Sequence, residues 1–124
     1  MGIQRVFYIP KTLGELADQF AGMATDAPEY KGIYDPIYEP HDGPAGEFAA
    51  TRKGLANVRS KLGERGYEYL LARIEENWAR LQTGDTEDLR QLKLSFGEMI
   101  HFLRTKQYKA ADLAGDWAEH TEVR

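Results

Sequence analysis

Four of the chain's five prolines, Pro28, Pro36, Pro40 and Pro44, fall between Asp26 and Glu47, and this spacing rules out a continuous helix there. Each ring removes a backbone donor and pushes the residue before it towards an extended conformation. The same stretch carries Tyr30, Tyr34 and Tyr38 at a spacing of four, and Ile33-Tyr34-Asp35-Pro36 runs straight into Ile37-Tyr38-Glu39-Pro40. Residues 26–47 therefore read as one long, acidic, Pro/Tyr-rich loop, and any helices must be arranged on either side of it. Loops of that length in a compact domain are commonly functional, which makes this one the first candidate for a site.

Helical periodicity governs the rest. Thr12 followed by Glu15 has the pattern of a capping box, and Leu13, Leu16, Ala17, Phe20 and Met23 recur at helical spacing, predicting a helix over about residues 13–24. Phe48, Leu55, Val58 and Leu62, with Thr51 in the remaining seam position, mark a second helix, its end bracketed by Gly63 and Gly66. Tyr67, Leu70, Leu71, Ile74, Trp78 and Leu81 make a third, stopped by Gly84. Asp85 or Thr86 caps a fourth, with Glu87 and Asp88 in its first turn and a heptad-like seam of Leu89, Leu92, Phe96, Met99, Ile100 and Leu103 that closes with Arg104 and Lys106. Tyr108, Leu113 and Trp117 predict a short final helix, and Ile3 to Ile9 a short extended segment ended by Pro10. The links at 63–66 and 83–86 are short enough to force antiparallel neighbours. The expected fold is all-α: a single domain over residues 1–124, a four-to-five-helix up-down bundle with a short N-terminal extended segment.

A chain of 124 residues buries about two-thirds of the surface it exposes when unfolded, enough for a core without covalent staples. It has no cysteine, which removes disulfides, thiolate zinc sites and cysteine nucleophiles together. No window approaches a membrane span and the first residues lack a signal-peptide core, so a cytoplasmic protein is expected. The net charge of −4 argues against nucleic acid as the main partner, because phosphate binding needs a clustered positive face. Charge is also unevenly placed. Residues 26–47 carry Asp26, Glu29, Asp35, Glu39, Asp42 and Glu47 against Lys31 alone, whereas residues 48–66 carry Arg52, Lys53, Arg59, Lys61 and Arg65 against Glu64.

Chemistry-bearing groupings are sparse. Glu98 and His101 have the Glu-x-x-His spacing that di-iron bundles use, but there is one such pair, and at about 100° per residue both fall on the side of the helix away from Phe96. His41 and His120 stand alone beside Asp42 and Glu119, and neither Ser60 nor Ser95 sits in a nucleophile turn. Glu75-Glu76 and Glu87-Asp88 are neighbours in sequence, not in space, and Glu76 is expected to pair with Arg80 one turn on. No glycine cluster builds a phosphate cradle. No catalytic residue, metal site or cofactor is expected.

Two surfaces remain. On the back of the fourth helix Leu94, Gly97 and His101 share a face, suited to the tail around Leu113 and Trp117 or to another subunit. In the loop, Tyr30, Tyr34, Asp35, Tyr38, Glu39 and Asp42 combine flat apolar area with hydroxyls and charge, as interface residues do. Asp35-Pro36-Ile37-Tyr38-Glu39 resembles the Glu-Pro-Ile-Tyr-Ala tyrosine-phosphorylation motifs of some bacterial effectors over five residues, departing at the first and last. The alternative for the tyrosines is that Tyr30, Tyr34 and Tyr38 pack down on the bundle. The expected function is a protein-binding module: an adaptor, a regulatory subunit, or an immunity-type inhibitor that covers a basic surface of another protein. Against it stand a small-molecule enzyme with a cleft using Tyr34, Tyr38, His41, Asp42 and Arg52, and a structural homo-oligomer built on the back of the fourth helix.

Overall fold

The computed structural model describes the backbone of residues 3–4, 8–30, 38–39 and 43–114, and the side chains of residues 8–30 and 43–105. Its elements are β1 (Ile3–Gln4), α1 (Leu13–Asp26), β2 (Tyr38–Glu39), α2 (Pro44–Asn57), α3 (Arg59–Thr83) and α4 (Thr86–Ala114). The two strands are a single parallel pairing, Ile3 opposite Tyr38 and Gln4 opposite Glu39.

Local chemistry sets most of the boundaries. At the start of α1 the Glu15 N–H donates to Thr12 Oγ1 at 3.1 Å, while the Glu15 carboxylate accepts from the Lys11 N–H at 2.8 Å, one residue short of the reciprocal bond of a full capping box. The start of α2 corrects the sequence reading, which carried the loop through Glu47. Pro44 occupies the first helical turn, where the missing N–H is one the helix does not use, so the helix absorbs residues 44–47 and Glu47 lies in its first turn. The α2–α3 junction also differs from expectation. Helix α2 stops at Asn57, the chain turns at Val58, and Gly63 sits inside α3 at φ 76° and ψ 165°, a kink that a side chain would oppose. Gly66 is no terminator: it is buried within α3, where an added Cβ would lie 3.5 Å from the Phe102 ring. Gly84, at φ 70°, ends α3 in the left-handed conformation, and Asp85 Oδ2 then accepts the Asp88 N–H at 3.1 Å to open α4. That helix runs unbroken to Ala114, so Tyr108 and Leu113 belong to it and not to a separate fifth helix; Trp117 lies outside the described residues.

Contacts between helices fix their directions. Phe48 meets Trp78 and Arg52 meets Glu75, so residue numbers fall along α2 as they rise along α3. The same opposition holds for α3 and α4 through Asn77 with Ser95 and Tyr69 with Phe102, and for α1 and α4 through Ala24 with Lys93 and Phe20 with Phe96. It holds for α1 and α2 through Pro10 with Asn57 and Gln19 with Glu47. Each helix packs on its two antiparallel neighbours in the order α1, α2, α3, α4 and back to α1, giving the up-down bundle.

The core lies on the axis of that square. Leu16, Phe20 and Met23 meet Phe48, Leu55, Leu70, Ile74, Leu92, Phe96, Met99 and Leu103, all essentially without exposure. Phe96 is central, its ring 5.7 Å from Phe20 and 6.3 Å from Phe48 across the diagonal. Burying such a ring contributes about 1.5–3 kcal/mol. The seam expected from the spacing of α4 is the seam observed.

Candidate functional surfaces

One end of the bundle gathers the C-termini of α1 and α3 with the N-termini of α2 and α4. It brings together Asp26, Glu29, Glu47, Asp85, Glu87 and Asp88. Arg90 and Gln91 hydrogen-bond the Glu87 carboxylate and hold its pKa down to about 2. Asp26, Glu29 and Asp85 are exposed and have no ion-pair partner among the described residues. The Pro/Tyr segment leaves from and returns to this end. Gly43 packs so close to Glu29 that a Cβ added there would lie 3.4 Å from the Glu29 carbonyl oxygen, so the two ends of residues 30–42 stand side by side.

Tyr30 anchors the departing end and corrects its assignment to a partner surface. Its backbone turns into the left-handed region at φ 52°, its N–H bonds to the Asp26 carbonyl at 3.0 Å, and its side chain is 1% exposed. The ring meets Phe48 edge-on at 5.8 Å. Its hydroxyl is buried without a hydrogen-bond partner among the described residues. Burial, followed by the nearby Glu47 and Asp26, pushes the phenol pKa well above its ordinary value. Of the other loop residues, Tyr38 and Glu39 are described only as the backbone of β2, and Tyr34, Asp35, His41 and Asp42 lie outside the described residues.

The back of α4 is a second surface. Leu94, Gly97 and His101 are all exposed and line, with Glu98, Phe102 and Thr105 of α4 and Tyr69 and Arg73 of α3, an open groove of about 790 Å³. Leu94 is 52% exposed, and a Cβ on Gly97 would touch nothing within 4 Å. Tyr69 and Phe102 pack at 4.9 Å between ring centroids, with the Arg73 guanidinium 5.7 Å from the Tyr69 ring and paired to Glu76 at 2.6 Å. That pair replaces the expected one between Glu76 and Arg80, whose guanidinium instead donates to Asn77 Oδ1 at 2.7 Å. Sequence reading missed Tyr69; its position four residues before Arg73, outside the Leu70–Ile74 stripe, was the available signal. The expected cover is corrected in part, because Leu113 lies on α4 itself, about 28 Å along the helix from Leu94.

The remaining candidates resolve locally. Glu98 and His101 are both exposed, and no group of three His, Asp or Glu among the described residues is placed to hold a metal ion. Ser95 is buried and accepts from Asn77 Nδ2 at 3.0 Å. Arg52 is braced: it grips both Glu75 oxygens at 2.6 and 3.0 Å, with its guanidinium 5.7 Å from the Trp78 ring.

The opposite end of the bundle is basic. Arg59 pairs with Glu64 at 2.7 Å and lies 4.2 Å from the Tyr67 ring. Lys61, Arg65 and Arg104 are exposed with no ion-pair partner among the described residues, and α4 carries Lys106 and Lys109 in its last turns. No helix among the described residues is long and apolar enough to cross a membrane. No protein-family model, curated protein or solved structure matches the chain.

Proposed function

We propose that the chain is a protein-binding module of the adaptor, regulatory or inhibitor kind, and that its acidic end, with the Pro/Tyr segment rooted there, covers a basic surface of another protein. The observation that supports this reading is the separation of unpaired charge. Among the described residues Asp26, Glu29 and Asp85 have no ion-pair partner where the segment carrying Asp35, Glu39 and Asp42 leaves and re-enters the bundle. Acids packed at one end make the local potential negative and steer a positively charged partner, acting mainly on the association rate. Tyr30 fixes the root of the segment, leaving Tyr34 and Tyr38 as its candidate aromatic contacts.

Once a partner captured from the host is identified by mass spectrometry, binding of the purified pair measures the proposal. Tyr34→Ala with Tyr38→Ala should weaken it by at least ~2 kcal/mol, the scale of aromatic hot spots. Charge reversal at Asp35, Glu39 and Asp42 should slow association, with an effect that shrinks as salt rises. Unchanged binding in both variants refutes the assignment.

A further inference from the structure

The basic end has the complementary character, and it belongs to the same molecule. Charge in this fold is sorted along the bundle axis by topology: the α2–α3 link and the last turns of α4 bring Arg59, Lys61, Arg65, Arg104, Lys106 and Lys109 to one end. The ends of α1 and α3, the starts of α2 and α4, and the root of the Pro/Tyr segment bring Asp26, Glu29, Glu47, Asp85, Glu87 and Asp88 to the other. Acids also lie near the basic end: Glu15 in the first turn of α1, Glu64, which Arg59 holds, Glu68 one turn further in, and Asp112 in the last turns of α4, fewer than the Lys and Arg residues gathered there. A bundle that pairs its charges internally leaves little field at its ends. Among the described residues the arginines with internal ion pairs are Arg52, Arg59, Arg73 and Arg90, while Lys61, Arg65 and Arg104 are exposed without an ion-pair partner at one end and Asp26, Glu29 and Asp85 at the other.

We infer that the basic end built by Lys61, Arg65 and Arg104 docks on the acidic end of a second copy of this chain, so that copies associate head to tail. The inference rests on the proposed role of the acidic end and supplies one partner for it. Because the two surfaces lie at opposite ends of the molecule, the contact is heterologous and does not close on two copies, and it extends into open chains. Its drive is electrostatic, so its range follows the ionic atmosphere, about 30 Å at 0.01 M salt and about 8 Å at 0.15 M. Self-association therefore responds to ionic strength and to concentration together.

Sedimentation equilibrium of the purified chain tests this with two charge-reversed variants, each checked by circular dichroism for native helicity. In 10 mM salt the weight-average mass of the native chain should climb with concentration above the 14.1 kDa monomer, and the dissociation constant should rise at least tenfold by 150 mM salt. Lys61→Glu with Arg65→Glu and Arg104→Glu makes both ends acidic; Asp26→Lys with Glu29→Lys and Asp85→Lys reverses the acidic end. Each should be monomeric alone, and an equimolar mixture of the two should associate again. A native chain that stays monomeric in 10 mM salt overturns the inference, as does association that survives either reversal or a mixture that fails to associate. The basic-end variant also separates this inference from the proposed function, since it should keep native affinity for a captured partner while losing self-association.

Discussion

Removing the Tyr30 hydroxyl should stabilise this protein, although the residue is among the most deeply buried in the fold. The oxygen lies out of contact with solvent and has no hydrogen-bond partner among the described residues, so none of those residues replaces the water that folding strips from it. An unsatisfied buried hydroxyl costs about 1–3 kcal/mol, whereas the ring is well used, edge-on to Phe48 at 5.8 Å. Tyr30→Phe keeps the ring and the backbone turn and removes the cost. A gain of about 1–2 kcal/mol follows, which for a chain of this size raises Tm by roughly 4 °C per kcal/mol. The alkaline side sharpens the test. The folded chain holds this phenol protonated above its ordinary pKa, while the unfolded chain ionises it near pH 10; its contribution to stability is complete below about pH 10 and is lost as pH rises further. Urea titrations of both proteins at pH 7 and at pH 11 should therefore show the stability difference widening at the higher pH. Destabilisation by Tyr30→Phe at pH 7 would show that the hydroxyl has a partner and would refute the reasoning.

Gly54→Ala should destabilise by about 1–3 kcal/mol in urea titration despite the better helix propensity of alanine, because its Cβ would lie 2.6–2.9 Å from the Pro10 ring; Gly97→Ala, which meets open space, should gain up to ~1 kcal/mol. Lys93→Met should cost about 1 kcal/mol, since the ammonium donates at 2.8 Å to the Ala24 carbonyl, an acceptor of the last turn of α1 that the helix leaves unfilled. The Glu87 carboxyl should titrate near pH 2 by NMR. Its stabilising effect is complete above the ordinary glutamate pKa of about 4.3 and is lost as pH falls towards 2, a part of the acid branch that Glu87→Gln should remove.

The bundle was legible because its signals are local and repetitive. The α4 seam, the αL stop at Gly84 and the Thr12 cap each involve residues within a turn or two, and each is where periodicity or composition put it. The misreadings have a common origin in which residue a glycine or proline serves. Pro44 begins a helix instead of prolonging a loop, because at the first turn a missing donor is free of cost; Gly66 is buried inside a helix that it does not end. The surfaces were less legible. The grouping of Leu94, Gly97 and His101 follows from helical phase alone, but Tyr69 and Arg73 join them across α3 only once the two helices are in register. Tyr30 was read with Tyr34 and Tyr38 because the repeat of four is conspicuous, and nothing in that repeat marks the Tyr30 ring as turning inward over Phe48.

What chooses this register, among several that would bury the same leucines, is a set of polar contacts placed between particular helices. Apolar seams of Leu, Phe and Met tolerate sliding by a turn with modest loss, since the contacts are non-directional and Met is adaptable. Hydrogen bonds do not. Between α1 and α2, Gln19 Nε2 donates to Thr51 Oγ1 at 2.9 Å and to Glu47 at 3.0 Å, while Thr51, fully buried, donates to the Glu47 carbonyl at 2.7 Å. Between α3 and α4, buried Asn77 donates to Ser95 and accepts from Arg80. Sliding either pair by one turn would leave buried donors and acceptors unmatched at about 1–3 kcal/mol each, more than the apolar contacts regain. The two contacts lie on opposite sides of the bundle, one across the α1–α2 seam and the other across the α3–α4 seam. Each half is thus locked internally, and the halves are joined by the Phe48, Phe96 and Trp78 core together with Lys93 on the Ala24 carbonyl and Arg52 on Glu75. The charges sorted to the two ends are then held at fixed positions by a scaffold whose register they do not themselves determine.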